Sequence, residues 1–269
     1  MLRRLTALLG VVALIVAGCG FFSVPSKRYT ITVGGMERSY RLYKPPNLPN
    51  PAPLVVVLHA LGANTVNAEQ TMGWDKRADI DRFLVAYPEG IGWTWNAHGC
   101  CGKAAEVQAD DVGFITTMID RVPGVDRSRI YVTGLSNGGV MAYTLACNTD
   151  IFAAIGPVEA TQIVPCPNPH PTSVMHIHGL ADDVVKFGGT PKSERFPVDG
   201  PPVADVIAFW RRVNRCEPPV VTEAGPQTVS TATCPDNREV VLVTFDDVGH
   251  AWPRSAEVRL WDFFAAHPK

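Results

Sequence analysis

Charge is sparse in this sequence. Charged residues make up 19% of it, 24 Lys and Arg stand against 26 Asp and Glu, and no basic cluster of useful length occurs. The electrostatic footprint of a nucleic-acid-binding protein is therefore missing, and no nucleic-acid partner is expected. Internal repeats, heptads and low-complexity tracts are also missing, which excludes solenoids and coiled coils. No Cys-x-x-Cys pair occurs among the 7 cysteines, so the usual zinc framework is absent and no metal is expected. No linker divides the chain after residue 27. The apolar share of 46% is that of an ordinary globular protein and argues against disorder.

What is present begins with an export signal. Arg3 and Arg4 precede an apolar run over residues 5–17, about 13 residues, too short to cross a bilayer comfortably. Val16-Ala17-Gly18-Cys19 follows and resembles the lipobox of bacterial lipoproteins. That resemblance implies cleavage before Cys19, a lipid on its sulfur and a tether to the outer face of the membrane. The alternative is an ordinary cleaved signal peptide with an incidental cysteine. The expected organisation is a signal peptide over 1–18, a tether over 19–27 and a catalytic domain over 28–269. Export makes the other six cysteines candidates for disulfides. Cys147–Cys166 and Cys216–Cys234 are preferred because each closes a short loop, leaving Cys100 and Cys101 as a vicinal pair or as free thiols.

Patterning predicts the fold class. Residues 29–33 and 38–43 alternate as strands around the turn Gly34-Gly35. Residues 54–58 and 83–86 are continuous apolar runs, as in strands buried on both faces. Strands are also predicted over 129–133, 152–158, 174–178 and 240–245, and helices over 111–122, 138–146, 203–213 and 256–266. Alternating strands and helices predict a mainly parallel, doubly wound α/β sheet with helices on both faces.

Gly134-Leu135-Ser136-Asn137-Gly138-Gly139 fits G-x-S-x-G, between a predicted strand and a predicted helix. The chemistry needs a tight turn there, so that the Ser136 hydroxyl stands above the sheet at a helix N-terminus. A serine nucleophile needs a base, and the base needs an acid, in the chain order Ser, Asp, His. His250 follows the last predicted strand. Asp182 follows the strand over 174–178, with Asp183 as its near rival. His176 and His178 could share a face and bind metal, but satisfied core histidines are the commoner outcome. His267, at the chain end, is expected to be solvated. The backbone N–H groups of Asn137 and Leu61 are the expected oxyanion donors. Trp93, Trp95 and Trp252 are candidates for the substrate pocket or for packing, and residues 161–171 for a cap or a surface loop.

These motifs together resemble the esterase/polyhydroxybutyrate depolymerase family, related to feruloyl and acetylxylan esterases, and more closely actinobacterial esterase lipoproteins. The residues that carry the resemblance are Leu58-His59-Ala60-Leu61-Gly62, Trp95 to Gly102, Asp110 to Ile115, Tyr131 to Gly139, His178 to Gly189 and Gly249-His250-Ala251-Trp252-Pro253. The resemblance implies the α/β-hydrolase fold, hydrolysis of carboxylic esters without a cofactor, and the acid at Asp182. Two positions depart from the family: Ala60 stands where it has Gly, and Val185-Lys186-Phe187 where it has Val-Pro-Tyr. The expected partners are a small or polymeric ester and the membrane through the lipid, with no prediction of oligomeric state. An acyltransferase on the same fold and a non-catalytic binding lipoprotein are the rival readings.

Overall fold

The computed structural model describes residues 26–193 and 199–269. The expected signal peptide and lipidation at Cys19 lie outside the described residues. The elements run β1 (Lys27–Val33), β2 (Met36–Tyr43), β3 (Ala52–Leu58), α1 (Thr65–Thr71), α2 (Trp74–Asp81), β4 (Leu84–Pro88), α3 (Gly102–Glu106), α4 (Asp111–Arg121), β5 (Val125–Leu135), α5 (Asn137–Asn148), β6 (Ala154–Val158) and β7 (Ser173–Gly179). After these come α6 (Val203–Val213), β8 (Val220–Ala224), β9 (Gln227–Cys234), β10 (Arg238–Phe245) and α7 (Ala256–Ala266).

One sheet contains all the strands, in the order β1-β2-β4-β3-β5-β6-β7-β10-β9-β8. The stretch from β4 to β10 is parallel, and an antiparallel ribbon closes each end. Alternation along β3 shows how the sheet is sealed on both faces. Leu54, Val56 and Leu58 join the core beneath α4, α5 and α6, whereas Val55 and Val57 join the core beneath α2 and α7. All five are wholly buried. Such burial contributes about 1.5–3 kcal/mol per Val or Leu side chain. The β1–β2 turn places Gly34 and Gly35 at φ 57° and 78°, the two positive values that a two-residue hairpin of matching twist requires.

Several elements lack the pattern that would announce them. Strand β8 is exposed at all five positions, so neither alternation nor an apolar run marks it. Helices α1 and α2 each bury two residues, Thr65 with Ala68 and Trp74 with Ala78, too few to form a stripe. His267 is a correction: it is buried, its ring tilted against Phe263 at 4.4 Å between centroids, and bonded through Nδ1 to the Phe263 carbonyl at 2.6 Å. The helix end and the aromatic ring cover it, so its place at the chain end does not expose it.

Disulfides join Cys147 to Cys166, Cys216 to Cys234 and Cys100 to Cys101. The first holds the end of α5 against the loop after β6, and the second ties the exit of α6 to the end of β9. A buried ion pair does comparable work between β2 and α4. Arg38 donates to Asp111 Oδ1 at 2.5 Å and lies 4.0 Å over the Phe114 ring. The second Asp111 oxygen accepts the Asn96 N–H at 2.7 Å. Burial raises the Asp111 pKa, and Arg38 acts against that rise. Replacing Arg38 with Met should strand a buried carboxylate and lower stability by about 3–5 kcal/mol in urea denaturation. An unchanged midpoint would show that the pair is dispensable.

Candidate active site

Ser136 lies between β5 and α5 with φ 56° and ψ −119°, a conformation that non-glycine residues rarely adopt. The turn is this sharp because α5 approaches the sheet closely. A Cβ on Gly138 would lie 2.4 Å from the Leu58 carbonyl oxygen, and one on Gly134 2.6 Å from the Gly138 carbonyl carbon. Side chains at either position would push strand and helix apart. The Ser136 N–H donates to the Val158 carbonyl at 2.9 Å, which pins the turn to the neighbouring strand. Asn137 then opens the helix, where a backbone N–H has no partner within the helix.

His250 stands in the loop after β10, and its Nδ1 is 2.7 Å from Asp182 Oδ2. The other oxygen of Asp182 accepts the N–H groups of Val184 and Val185 at 2.8 and 2.9 Å. Burial pushes the Asp182 pKa up, but hydrogen bonds from His250 and from Glu159 outweigh it and leave the value lowered. Asp183 is exposed and lines the rim. A cavity of about 470 Å³ opens above these groups, and Ser136, His250, Asn137 and Leu61 all line it. Ser136 and His250 share this space without a hydrogen bond between them, a looseness common before substrate binds.

The cavity's other walls come from Cys101 and from residues 183–186, 190–191 and 193. Residues 161–171 are not among them, so of the two readings for that stretch, cap or surface loop, the cap is not what it forms over this cavity. Thr161 is buried against the Pro201 carbonyl, Gln162 accepts from Trp210, and Cys166 is bridged to α5. Trp95 is likewise a correction. It is wholly buried beneath the loop after β3, its indole donating to the His59 carbonyl at 2.9 Å, and it offers no face to a ligand. Trp252 packs partly buried against the core on the α7 side and does not line the cavity. Trp93, beside the loop after β3, is 55% exposed and its carbonyl accepts the Gly62 N–H, but it does not line the cavity.

Two buried networks support the site. In the first, the Asn137 side chain accepts from the Trp95 N–H at 2.7 Å and donates to the Trp95 carbonyl at 3.1 Å. Helix α5 thus clamps the loop that carries the Cys100–Cys101 pair. In the second, a chain runs from the Tyr143 hydroxyl through His176 and His178 to the Val185 carbonyl, with steps of 2.9, 3.0 and 2.8 Å. The carbonyl end fixes the protons: His178 donates from Nε2, His176 donates from Nε2 to His178 Nδ1, and Tyr143 donates to His176 Nδ1. Burial lowers the pKa of both histidines, consistent with neutral rings. With every ring nitrogen engaged, neither histidine is available to bind a metal.

Glu159, directly after β6, is the group that the sequence reading passed over. Its carboxyl is buried behind Asp182, and burial, above all, pushes its pKa up to about 9. A lone acidic residue at the end of the apolar run over 152–158 was the available signal. Among the described residues, Glu159, Asp182 and His250 form the cluster able to offer a metal three ligand atoms, all within 4.8 Å of one another. In this structure His250 Nδ1 and Asp182 are already bonded to each other.

Comparison with known proteins identifies the family and the fold. The family described as Esterase PHB depolymerase matches residues 38–177, just over half of the chain. A protein of Nocardia uniformis subsp. tsuyamanensis named Putative esterase NocK is 30% identical over 83% of this chain and 73% of its own length. Feruloyl esterase B of Piromyces equi is 29% identical over 74% of this chain, which spans only 40% of that protein. Among solved structures, an acetyl xylan esterase from Aspergillus awamori superposes with a TM-score of 0.63 at 17% identity, covering 89% of this chain and 99% of the other. That likeness shows a shared α/β-hydrolase-like fold.

Asn137→Ala should unpair the buried Trp95 N–H, while the Trp95 carbonyl keeps the Cys101 N–H at 3.0 Å. Thermal or urea unfolding should register a loss of about 1–3 kcal/mol, the cost of one buried orphan group. A loss below about 0.5 kcal/mol would mean that water replaces the side chain and that no clamp exists.

Proposed function

This chain belongs to the esterase PHB depolymerase family and is a carboxylic ester hydrolase, and we propose that it acts through Ser136, His250 and Asp182 by way of an acyl-enzyme. The observation that carries this reading is the 2.7 Å bond between His250 Nδ1 and Asp182 Oδ2, at a cavity that also receives Ser136 from a strained turn. Accepting from Nδ1–H holds the imidazole in the tautomer whose Nε2 can take a proton.

The Ser136 hydroxyl attacks the ester carbonyl as His250 Nε2 accepts its proton. The oxygen of the tetrahedral adduct rests on the N–H groups of Asn137 and Leu61, with the N-terminus of α5 adding its dipole. His250 returns the proton to the leaving alcohol. Water, deprotonated by the same ring, then attacks the acyl-serine and frees the acid. Side chains and main-chain N–H groups supply every step.

The cavity, at about 470 Å³, suits an acyl group of modest size. Esters of acetic or hydroxycinnamic type and short hydroxyacyl oligomers are the substrates proposed, in line with the names of the relatives. The disulfides support a compartment outside the reducing cytoplasm. Among the described residues no helix is long and apolar enough to cross a membrane. We propose that attachment occurs through a lipid on Cys19.

Ser136→Ala should reduce p-nitrophenyl acetate hydrolysis by at least about 10⁴-fold, and Asp182→Asn by about 10⁴-fold, with unchanged circular dichroism. A Ser136→Ala protein as fast as its parent would defeat the proposal. Mass spectrometry of the mature protein, made from the full-length chain in a bacterial host that processes lipoproteins, should find Cys19 at the N-terminus carrying the diacylglyceryl mass, and an unmodified Cys19 would exclude the anchor.

A further inference from the structure

Behind the Asp182–His250 pair lies a second carboxyl that the proposed reaction does not use. Glu159 is wholly buried, and its backbone stands at φ 45°. A glutamate in the left-handed region is held there only when its surroundings over-determine it. Both of its oxygens accept the Gly179 N–H, at 2.9 and 3.0 Å. A carboxyl oxygen of Glu159 lies within 4.8 Å of one of Asp182, and His178 Nε2 stands 3.6 Å from each carboxyl. Two carboxyls in such contact share a proton, because neighbouring carboxylates cannot both ionise in a buried site.

The groups facing Glu159 decide which carboxyl keeps that proton. They are Asp182 from the loop after β7, His178 from β7 with Nε2 3.6 Å from Glu159 Oε2, and His250 from the loop after β10. Neutral His178 gives its proton to Val185, so it does not compensate a charge. Asp182 accepts two backbone N–H groups and the His250 ring, all of which favour its ionised form. Glu159 has one backbone donor. We propose that Glu159 is a positioning residue: as a neutral carboxylic acid it donates to the Asp182 carboxylate and so holds in place the anion that orients His250. The inference rests on the reading of Ser136, Asp182 and His250 given above.

Burial first, and Asp182 second, keep the Glu159 proton bound up to about pH 9. Above that value a second negative charge beside Asp182 would remove the donor and leave two buried carboxylates in contact. The glutamate therefore supports the site below its raised pKa and ceases to do so as pH climbs through it. Gln in its place keeps a donor toward Asp182 and an acceptor for Gly179 but carries no titratable proton. Ala keeps neither.

The test is the pH profile of kcat/KM for p-nitrophenyl acetate in the parent, E159Q and E159A. The parent should fall along an alkaline limb near pH 9. E159Q should stay within about threefold of the parent at pH 7 and lose that limb, while E159A should drop about 10- to 100-fold, the range seen when a ligand's supporting partner is removed. The same limb in parent and E159Q, or no limb in the parent, would overturn the proposal. Should E159Q fail to fold, infrared spectroscopy of the parent provides the check. A protonated-carboxyl band lost with a midpoint near pH 9 supports the shared proton, and absence of such a band refutes it. An active Ser136→Ala protein would instead sink the underlying triad, a result separate from either outcome at Glu159.

Discussion

Strand β3 and helix α5 touch backbone to backbone, and the candidate site is built on that contact. The Leu58 carbonyl stands where a methyl on Gly138 would have to go. The helix can therefore begin immediately after β5, with Ser136 forced into its unusual conformation at the apex. The same closeness brings the start of α5 to the loop after β3, so that Asn137 and Leu61 line one cavity. Conformational strain at one residue is tolerable because the buried end of β5 holds one side of the turn and the largely buried helix α5 holds the other.

Much of this could be read in advance where a physical rule acts locally. The glycines around Ser136 mark the turn because no other residue fits it, and the apolar runs over 54–58 and 174–178 mark strands sealed on both faces. The predicted strands and helices correspond to observed elements, with ends that differ by a few residues. The antiparallel ribbon β8–β9 was not legible, because an exposed edge strand has no partner face to impose a period. Nor was the burial of Trp95, whose indole is fixed by a carbonyl 36 residues away in sequence. Glu159 escaped notice for the same reason, since its significance lies in Gly179 and Asp182, which only the folded chain brings to it. The family match ends at residue 177, short of Asp182 and His250, so their pairing is seen through geometry alone.

Above the carboxyl edge of the sheet, buried polar groups hold the loops. Asp111 joins Arg38 to the Asn96 backbone, Glu89 receives the Thr65 N–H that starts α1, and Asn137 grips Trp95. The His176–His178 chain ends on the carbonyl of Val185, whose N–H is bound by Asp182. The acid loop is thus gripped from both sides of one peptide residue. Such networks are costly to leave half satisfied, and in return they allow few alternative loop arrangements. Apolar packing could not fix a carboxylate to the same accuracy.

The uneven wetting of the indoles has an optical consequence. Trp74, Trp95 and Trp210 are sealed in the interior, whereas Trp93 meets solvent beside the loop after β3. Interior rings emit at the blue end of tryptophan fluorescence and a hydrated ring at the red end. The red component therefore comes from Trp93, tied through its own carbonyl to Gly62, together with the partly exposed Trp252. A soluble quencher will reach those two rings before the sealed ones, so the native protein carries its own optical record of which indoles the fold leaves wet.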